Sequence, residues 1–275
     1  MIHACTIKRS ITITGKDVFG RNASITFAPI EKPGWWWKFG EQVDGSDVLL
    51  PITQNMIQVK KRRSCFCLNE NTLLNVVEHI TVLRMCGLDR IVISSDTPWP
   101  PYFTSKELIE KLSPMRLLGY NLTWTSVISH GFFMSGNRSS TIIKLEKGVF
   151  IDAMIEYKNV GSIKKMFNIA CAYDVVNIIE IGAKTQGWPQ WYYHVAQIAQ
   201  KYMQWPHVDR VAWVQKYTHD KKILLALWLN HRILDILGMI GAMSLTDSDI
   251  ISCKFLSTRG GHKTDFKAFQ QIFRL

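Results

Sequence analysis

The sequence has no uninterrupted apolar segment long enough to cross a membrane and no low-complexity stretch. Its longest uninterrupted run of apolar side chains covers residues 223–229, far below the roughly 20 residues that a membrane span needs. Residues 1–9 hold no apolar core of the length that a signal peptide requires. We therefore expect a cytoplasmic protein.

Closely spaced cysteine pairs of the C-x-x-C type are also missing. The six cysteines are scattered, which is typical of free thiols in an intracellular chain. A C-x-C step in a strand places Cys65 and Cys67 on one face, so a thiolate metal site is an alternative, although no second pair accompanies them.

Acidic residues are fewer than basic ones. The 275 residues include 33 Lys and Arg against 22 Asp and Glu, which gives a net charge of +11 and favours a polyanionic partner. Signatures of nucleic-acid-binding modules are absent, so we expect no nucleic-acid partner. Ten Trp and 13 Phe favour apolar surfaces that suit a greasy ligand, and an anionic membrane surface is a possible peripheral contact.

The order of patterns, strands then helix, strand and helix and then much the same again, predicts an α+β fold. We expect two similarly built domains, over 1–118 and 119–275. Apolar spacing predicts helices over 72–86, 192–203, 222–243 and 265–273, and a further helix that begins at Thr104. Alternating patterns predict a strand over 208–214 and a hairpin formed by strands 141–145 and 149–157.

Three short segments contain residues suited to chemistry. On the long helix, His231 and Asp235 stand four residues apart and share one face, as two ligands of a zinc ion would. The same spacing also fits an ordinary helical ion pair. Glu78 and His79 adjoin the apolar stripe of the first helix, and His262 follows two glycines at a turn into the last helix.

Taken in chain order, the three segments resemble those of the zinc-dependent UDP-3-O-acyl-N-acetylglucosamine deacetylases of lipid A biosynthesis. The resemblance rests on V-E-H at 77–79, H-R-I-L-D at 231–235 and G-H at 261–262. It extends to a Gly-rich turn and strand over 14–29, and to A-K-T-Q-G at 183–187, which is similar to the family's A-R-T-F-G loop.

The resemblance implies two layered α/β sandwich domains with the active site between them. It implies that His79, His231 and Asp235 hold zinc and that Glu78 is the general base. Thr185 would donate a hydrogen bond to the oxyanion. It also implies that His262 is the cation that protonates the leaving amine and that Arg232 binds substrate.

Two departures bear on activity. Arg232 stands where the family usually has Lys, and Met239 stands where the family has an Asp that pairs with the catalytic His. From the resemblance as a whole, we expect a monomeric zinc hydrolase that deacetylates a UDP-linked acylated amino sugar. The alternatives are a divergent enzyme acting on another N-acetyl sugar and a zinc-binding homologue without catalysis.

Overall fold

The structure, a computed structural model, describes residues 2–17, 21–42, 45–60, 63–69, 73–75, 77–101, 116–122, 124–126, 131–135, 139–157, 160–182, 221–245 and 250–273. Three predicted elements lie outside these ranges: the helix from Thr104, the helix over 192–203 and the strand over 208–214.

Within the described ranges the protein is mixed α/β, with several sheets and few helices, as the order of sequence patterns predicts. In chain order the strands are β1 (Ile2–Ile7), β2 (Ile11–Lys16), β3 (Asn22–Pro29), β4 (Trp35–Glu41), β5 (Asp47–Pro51), β6 (Ile57–Lys60), β7 (Arg63–Cys67), β8 (Leu73–Asn75), β9 (Leu88–Ser95), β10 (Arg116–Leu122), β11 (Trp124–Ser126), β12 (Gly131–Ser135), β13 (Ser139–Lys144), β14 (Val149–Tyr157), β15 (Gly161–Ile169) and β16 (Ile250–Thr258).

The helices of the described chain are α1 (Glu78–Thr81), α2 (Ala172–Gly182), α3 (Lys221–Met243) and α4 (His262–Phe273), with 3₁₀ turns at Gln54–Met56 and Val82–Cys86. The predictions for α3 and α4 are confirmed to within a few residues. Gly87 ends the 3₁₀ turn after α1 with a φ of 92°, a left-handed conformation that glycine adopts without steric cost.

The strands form three sheets. A seven-stranded sheet has the order β10-β1-β9-β3-β2, with β4 beside β9 and β5 beside β4. A six-stranded sheet has the order β12-β13-β16-β14-β15, with β11 beside β16, and a small third sheet has the order β6-β7-β8. The chain passes from the first of these sheets to the second between Leu122 and Trp124.

Two predictions of local structure are wrong. The expected helix over 72–86 begins as strand β8, because Leu73 and Asn75 pair with β7, and the α-helix covers only Glu78–Thr81 before a 3₁₀ turn. The expected hairpin of β13 and β14 does not form, since β16 inserts between them, antiparallel to β13 and parallel to β14. In the first case the neighbouring strand β7 recruits the segment into a sheet, and in the second a partner distant in sequence, β16, determines the pairing.

Helix α3 lies at the centre of the apolar core. It contacts α1 and the following 3₁₀ turn, the helices α2 and α4, and strands β14–β16. Among the described helices it alone is long and apolar enough to cross a membrane by length and composition. However, 71% of its most apolar stretch is buried inside the protein, as in the core helix of a globular fold.

Candidate metal centre

The long helix presents two ligand-type side chains to one point. His231 and Asp235 are one turn apart on α3, and His231 Nε2 lies 3.8 Å from Asp235 Oδ1. Their side chains are 18% and 10% exposed, so both sit at the edge of the buried core. This separation is too long for a hydrogen bond and is closer to that of two ligands sharing one ion.

Helix α1 supplies the third ligand of this set. His79 Nε2 lies 3.7 Å from Asp235 Oδ1, and the rings of His79 and His231 meet edge to face with centroids 5.4 Å apart. The predicted ligands, distant in sequence, are thus brought together. Ligand atoms of all three residues lie within 4.8 Å of one another.

Glu78 and His262, the predicted acid–base residues, join the same cluster. His262 Nε2, at the start of α4, lies 3.6 Å from Glu78 Oε1 and 3.8 Å from Asp235 Oδ2. The other carboxylate oxygen of Glu78 accepts a hydrogen bond from the hydroxyl of Ser64 on β7, and both residues are buried. The carboxylate of Glu78 is therefore fixed at one oxygen and faces His262 with the other.

Two glycines of α3 allow α1 to approach closely enough to build this cluster. A Cβ at position 238 would lie 2.1 Å from the carbonyl oxygen of Glu78, and one at 241 would lie 2.2 Å from that of Thr81. Thr81 also donates a hydrogen bond from Oγ1 to the carbonyl oxygen of Gly238, at 2.6 Å. Larger residues at these two positions would separate the ligands of α1 from those of α3.

The charges of the cluster suit a cation. Burial works against ionisation of Asp235, but the neighbouring His231, His262 and His79 hold the pKa of its carboxyl well below the ordinary value. For His79, burial lowers the pKa, yet Asp235 and Glu78 outweigh that effect and raise it above 6.5. An ionised carboxylate thus stands among imidazoles that a metal ion can bind.

The donor set fits zinc. Two ligand atoms about 2.0–2.1 Å from a tetrahedral zinc lie about 3.3 Å apart, close to the observed 3.7 and 3.8 Å. Asp235 Oδ1 is buried and has no hydrogen-bond partner among the described residues, a costly state that an ion at this point would relieve.

The other predicted site residues have different surroundings. Arg232 is buried and its guanidinium contacts Asp265 and Ser257. Thr185 lies outside the described residues. The described part of the chain holds two groups of ligand-type residues, His79 with His231 and Asp235, and Glu78 with Asp235 and His262. Cys65 and Cys67, the alternative metal ligands, belong to neither group.

Sequence reasoning missed the residues that support the site, among them Ser64, Asp265 and Tyr157. The Tyr157 ring packs against Trp228, one turn before His231, with centroids 4.4 Å apart. Burial and the nearby Asp235 raise the pKa of Tyr157. No local spacing marks these residues, because each reaches the site through tertiary contacts.

Comparisons with known proteins add no assignment. Neither a scan against protein-family models nor a search of curated proteins returns a match to this chain. The case for function therefore rests on the site itself.

Proposed function

We propose that this protein is a zinc-dependent amidohydrolase that removes the acetyl group from an N-acetylated sugar, with UDP-3-O-acyl-N-acetylglucosamine as the leading substrate. One observation carries the proposal: a buried carboxylate outside the group of His79, His231 and Asp235, that of Glu78, stands beside these three ligand-type residues. That combination is what a hydrolytic metal site requires and what a structural zinc site lacks.

Each residue of the cluster receives a role from its position. His79, His231 and Asp235 would hold zinc, which when bound supplies Lewis acidity and makes water a stronger acid. Glu78, oriented by Ser64, accepts a proton from the attacking water. His262 faces Glu78 Oε1 and can pass a proton to the departing amine. Thr185, which lies outside the described residues, takes its role from the family resemblance and would donate a hydrogen bond to the oxyanion.

The proposal extends to the architecture and the partners. Each large sheet with its helices would form one α/β sandwich, divided just after β10 at Leu122, and the substrate would bind in the cleft between the two. The net charge of +11 suits the diphosphate of a UDP-sugar and an anionic membrane surface. The protein would be a cytoplasmic monomer.

A second candidate is a zinc-binding homologue without catalysis. Met239, one turn beyond Asp235, is 1% exposed, and His262 Nδ1 is buried with no hydrogen-bond partner among the described residues. An imidazole whose Nδ1 has no hydrogen-bond partner is less well oriented for proton transfer. This candidate keeps the metal site and gives up the reaction.

An assay for acetate release separates the two candidates. Purified protein is incubated with UDP-3-O-acyl-N-acetylglucosamine and, in parallel, with simpler N-acetyl sugars. We expect acetate and a free amine from the former, loss of activity after chelation, and recovery on addition of zinc. A zinc-loaded protein that releases no acetate from any of these substrates would support the non-catalytic homologue.

A further inference from the structure

Beneath the metal centre, a buried ion pair joins two helices. Arg232 on α3 contacts Asp265 on α4 at two points, with Nη1 2.6 Å from Oδ2 and Nη2 2.6 Å from Oδ1. Their side chains are 7% and 1% exposed. Arg232 Nη2 also donates to Ser257 Oγ, and Thr141 Oγ1 donates to Asp265 Oδ1. The guanidinium is therefore engaged within the protein.

The ion pair links the metal ligands to the proposed acid. Arg232 directly follows the ligand His231, and Asp265 is three residues after His262 in the first turn of α4. A two-point contact between guanidinium and carboxylate fixes orientation as well as distance. The pair thus sets where His262 begins α4 relative to the ligands of α3.

The loop before His262 closes tightly over this ion pair. A Cβ at Gly260 would lie 2.5 Å from Ser257 Oγ and 2.9 Å from Arg232 Nη2. The preceding Arg259 has a φ of 50°, and its backbone N–H donates to the carbonyl oxygen of Met154. The loop is therefore held at Arg259 by its backbone hydrogen bond and at Gly260 by its close approach to Arg232.

We infer that Arg232 and Asp265 form a positioning pair that holds His262 in register with Glu78 and Asp235. The inference rests on the proposed function and assigns Arg232 a role other than the substrate binding that the family resemblance implies. The guanidinium is 7% exposed and lies against the Asp265 carboxylate, so a substrate phosphate has little access to it. Its Nε and Nη1 make no hydrogen bond among the described residues, which means that burial and the ion pair, rather than a full set of hydrogen bonds, hold it in place.

Three variants test the pair. Arg232→Lys keeps the charge but cannot bridge both carboxylate oxygens, and Asp265→Asn keeps the shape but removes the charge. The matched control is Arg84→Lys, which alters a second buried pair, Arg84 Nη1 with Asp89 Oδ1 at 2.6 Å, between the 3₁₀ turn after α1 and strand β9. Zinc content, kcat, KM and the ¹⁵N-resolved ring signals of the histidines are measured for each.

We expect both test variants to shift or broaden the ring signals of His262 and to keep about one zinc per chain. Their kcat should fall on the order of 10–100-fold, since small displacements of a reacting group cost that much, with KM within about twofold. Arg84→Lys should leave the His262 signals and kcat close to those of the unmodified protein.

Three results would overturn the inference. A raised KM in Arg232→Lys with unchanged constants in Asp265→Asn would make Arg232 a substrate-binding residue. Zinc loss in either variant would make the pair a support for the ligands. Unchanged His262 signals in both would contradict positioning directly. If the unmodified protein releases no acetate, the proposed function fails, while the ring signals still decide on the positioning role.

Discussion

The two helices that meet at the metal centre differ in what holds them in place. Helix α3 is 23 residues long and brings its own two ligands together through helical spacing. Helix α1 has four residues, far fewer than an isolated helix needs, and its ligand His79 is placed by contacts with the rest of the protein. Half of the site is thus local and half tertiary.

This difference shows where the centre is vulnerable. The spacing of His231 and Asp235 depends on α3 alone, so substitutions elsewhere in the protein should leave it unchanged. The α1 half depends on the close crossing at Gly238 and Gly241 and on the hydrogen bond from Thr81. Variants that disturb either half should therefore have different effects, which the following predictions use.

The largest effect concerns Glu78, the α1 residue that is not a proposed ligand. Glu78→Gln keeps the size of the side chain and its contact with Ser64 but cannot take a proton. We expect kcat to fall by roughly 10²–10⁴-fold while the zinc content stays the same. Near-normal turnover in this variant would make Glu78 a structural residue.

The helix crossing is tested by Gly238→Ala. The new methyl group would lie 2.1 Å from the carbonyl oxygen of Glu78, so α1 must move away. We expect a loss of roughly 1–3 kcal/mol in stability and a zinc affinity lower by about tenfold or more.

Gly131→Ala is the control for this variant. Its added Cβ would lie equally close, 2.1 Å, to the carbonyl oxygen of Ala268, at a contact between β12 and α4 that holds no proposed ligand. A similar loss of stability without the loss of zinc affinity is expected. Equal zinc affinities in the two variants would mean that the crossing does not set the site.

A third prediction concerns Met239, on the same stripe of α3 as the two ligands. A carboxylate at this position would favour the protonated form of the His262 imidazole, with which the family's Asp pairs. In an active enzyme, Met239→Asp should move the alkaline limb of the pH–rate profile upward by about one pH unit. A lower melting temperature with an unmoved profile would favour the non-catalytic homologue, because the new carboxylate would then be buried without a partner.

The smallest effect concerns pH and metal together. In the metal-free protein the pKa of His79 is raised, so its contribution to stability is present below 6.5 and is lost as the pH rises through the folded-state value. Zinc, in contrast, needs the neutral imidazole. The increase in melting temperature on adding zinc should therefore be larger at about pH 8 than at about pH 6. An increase that is the same at both would contradict imidazole ligands at this site.

Much of the α3 half could be predicted from the sequence. The apolar run around 223–243 determines the helix, and the four-residue spacing of His231 and Asp235 places both on one face. The α1 half could be identified only through the family resemblance, because the apolar spacing over 72–86 fits a strand followed by short turns as well as a helix. Strand β7 decides between them by pairing with Leu73.

The supporting residues could not be predicted for the same reason. Ser64 lies 14 residues from Glu78, and Asp265 lies 33 residues from Arg232. Hydrogen bonds over such separations depend on which strands pair and how helices cross. The order β13-β16-β14, which places β16 between two sequential strands, is a further case in which a distant segment prevails over a local hairpin.

The central claim, that His79, His231 and Asp235 hold one metal ion, is tested most directly by the zinc content of the purified protein and of His231→Ala prepared in parallel. The account predicts about one zinc per chain in the former and loss of most of it in the latter, with both proteins folded. Equal zinc contents in the two, or no zinc uptake by the unmodified protein at neutral pH, would contradict it.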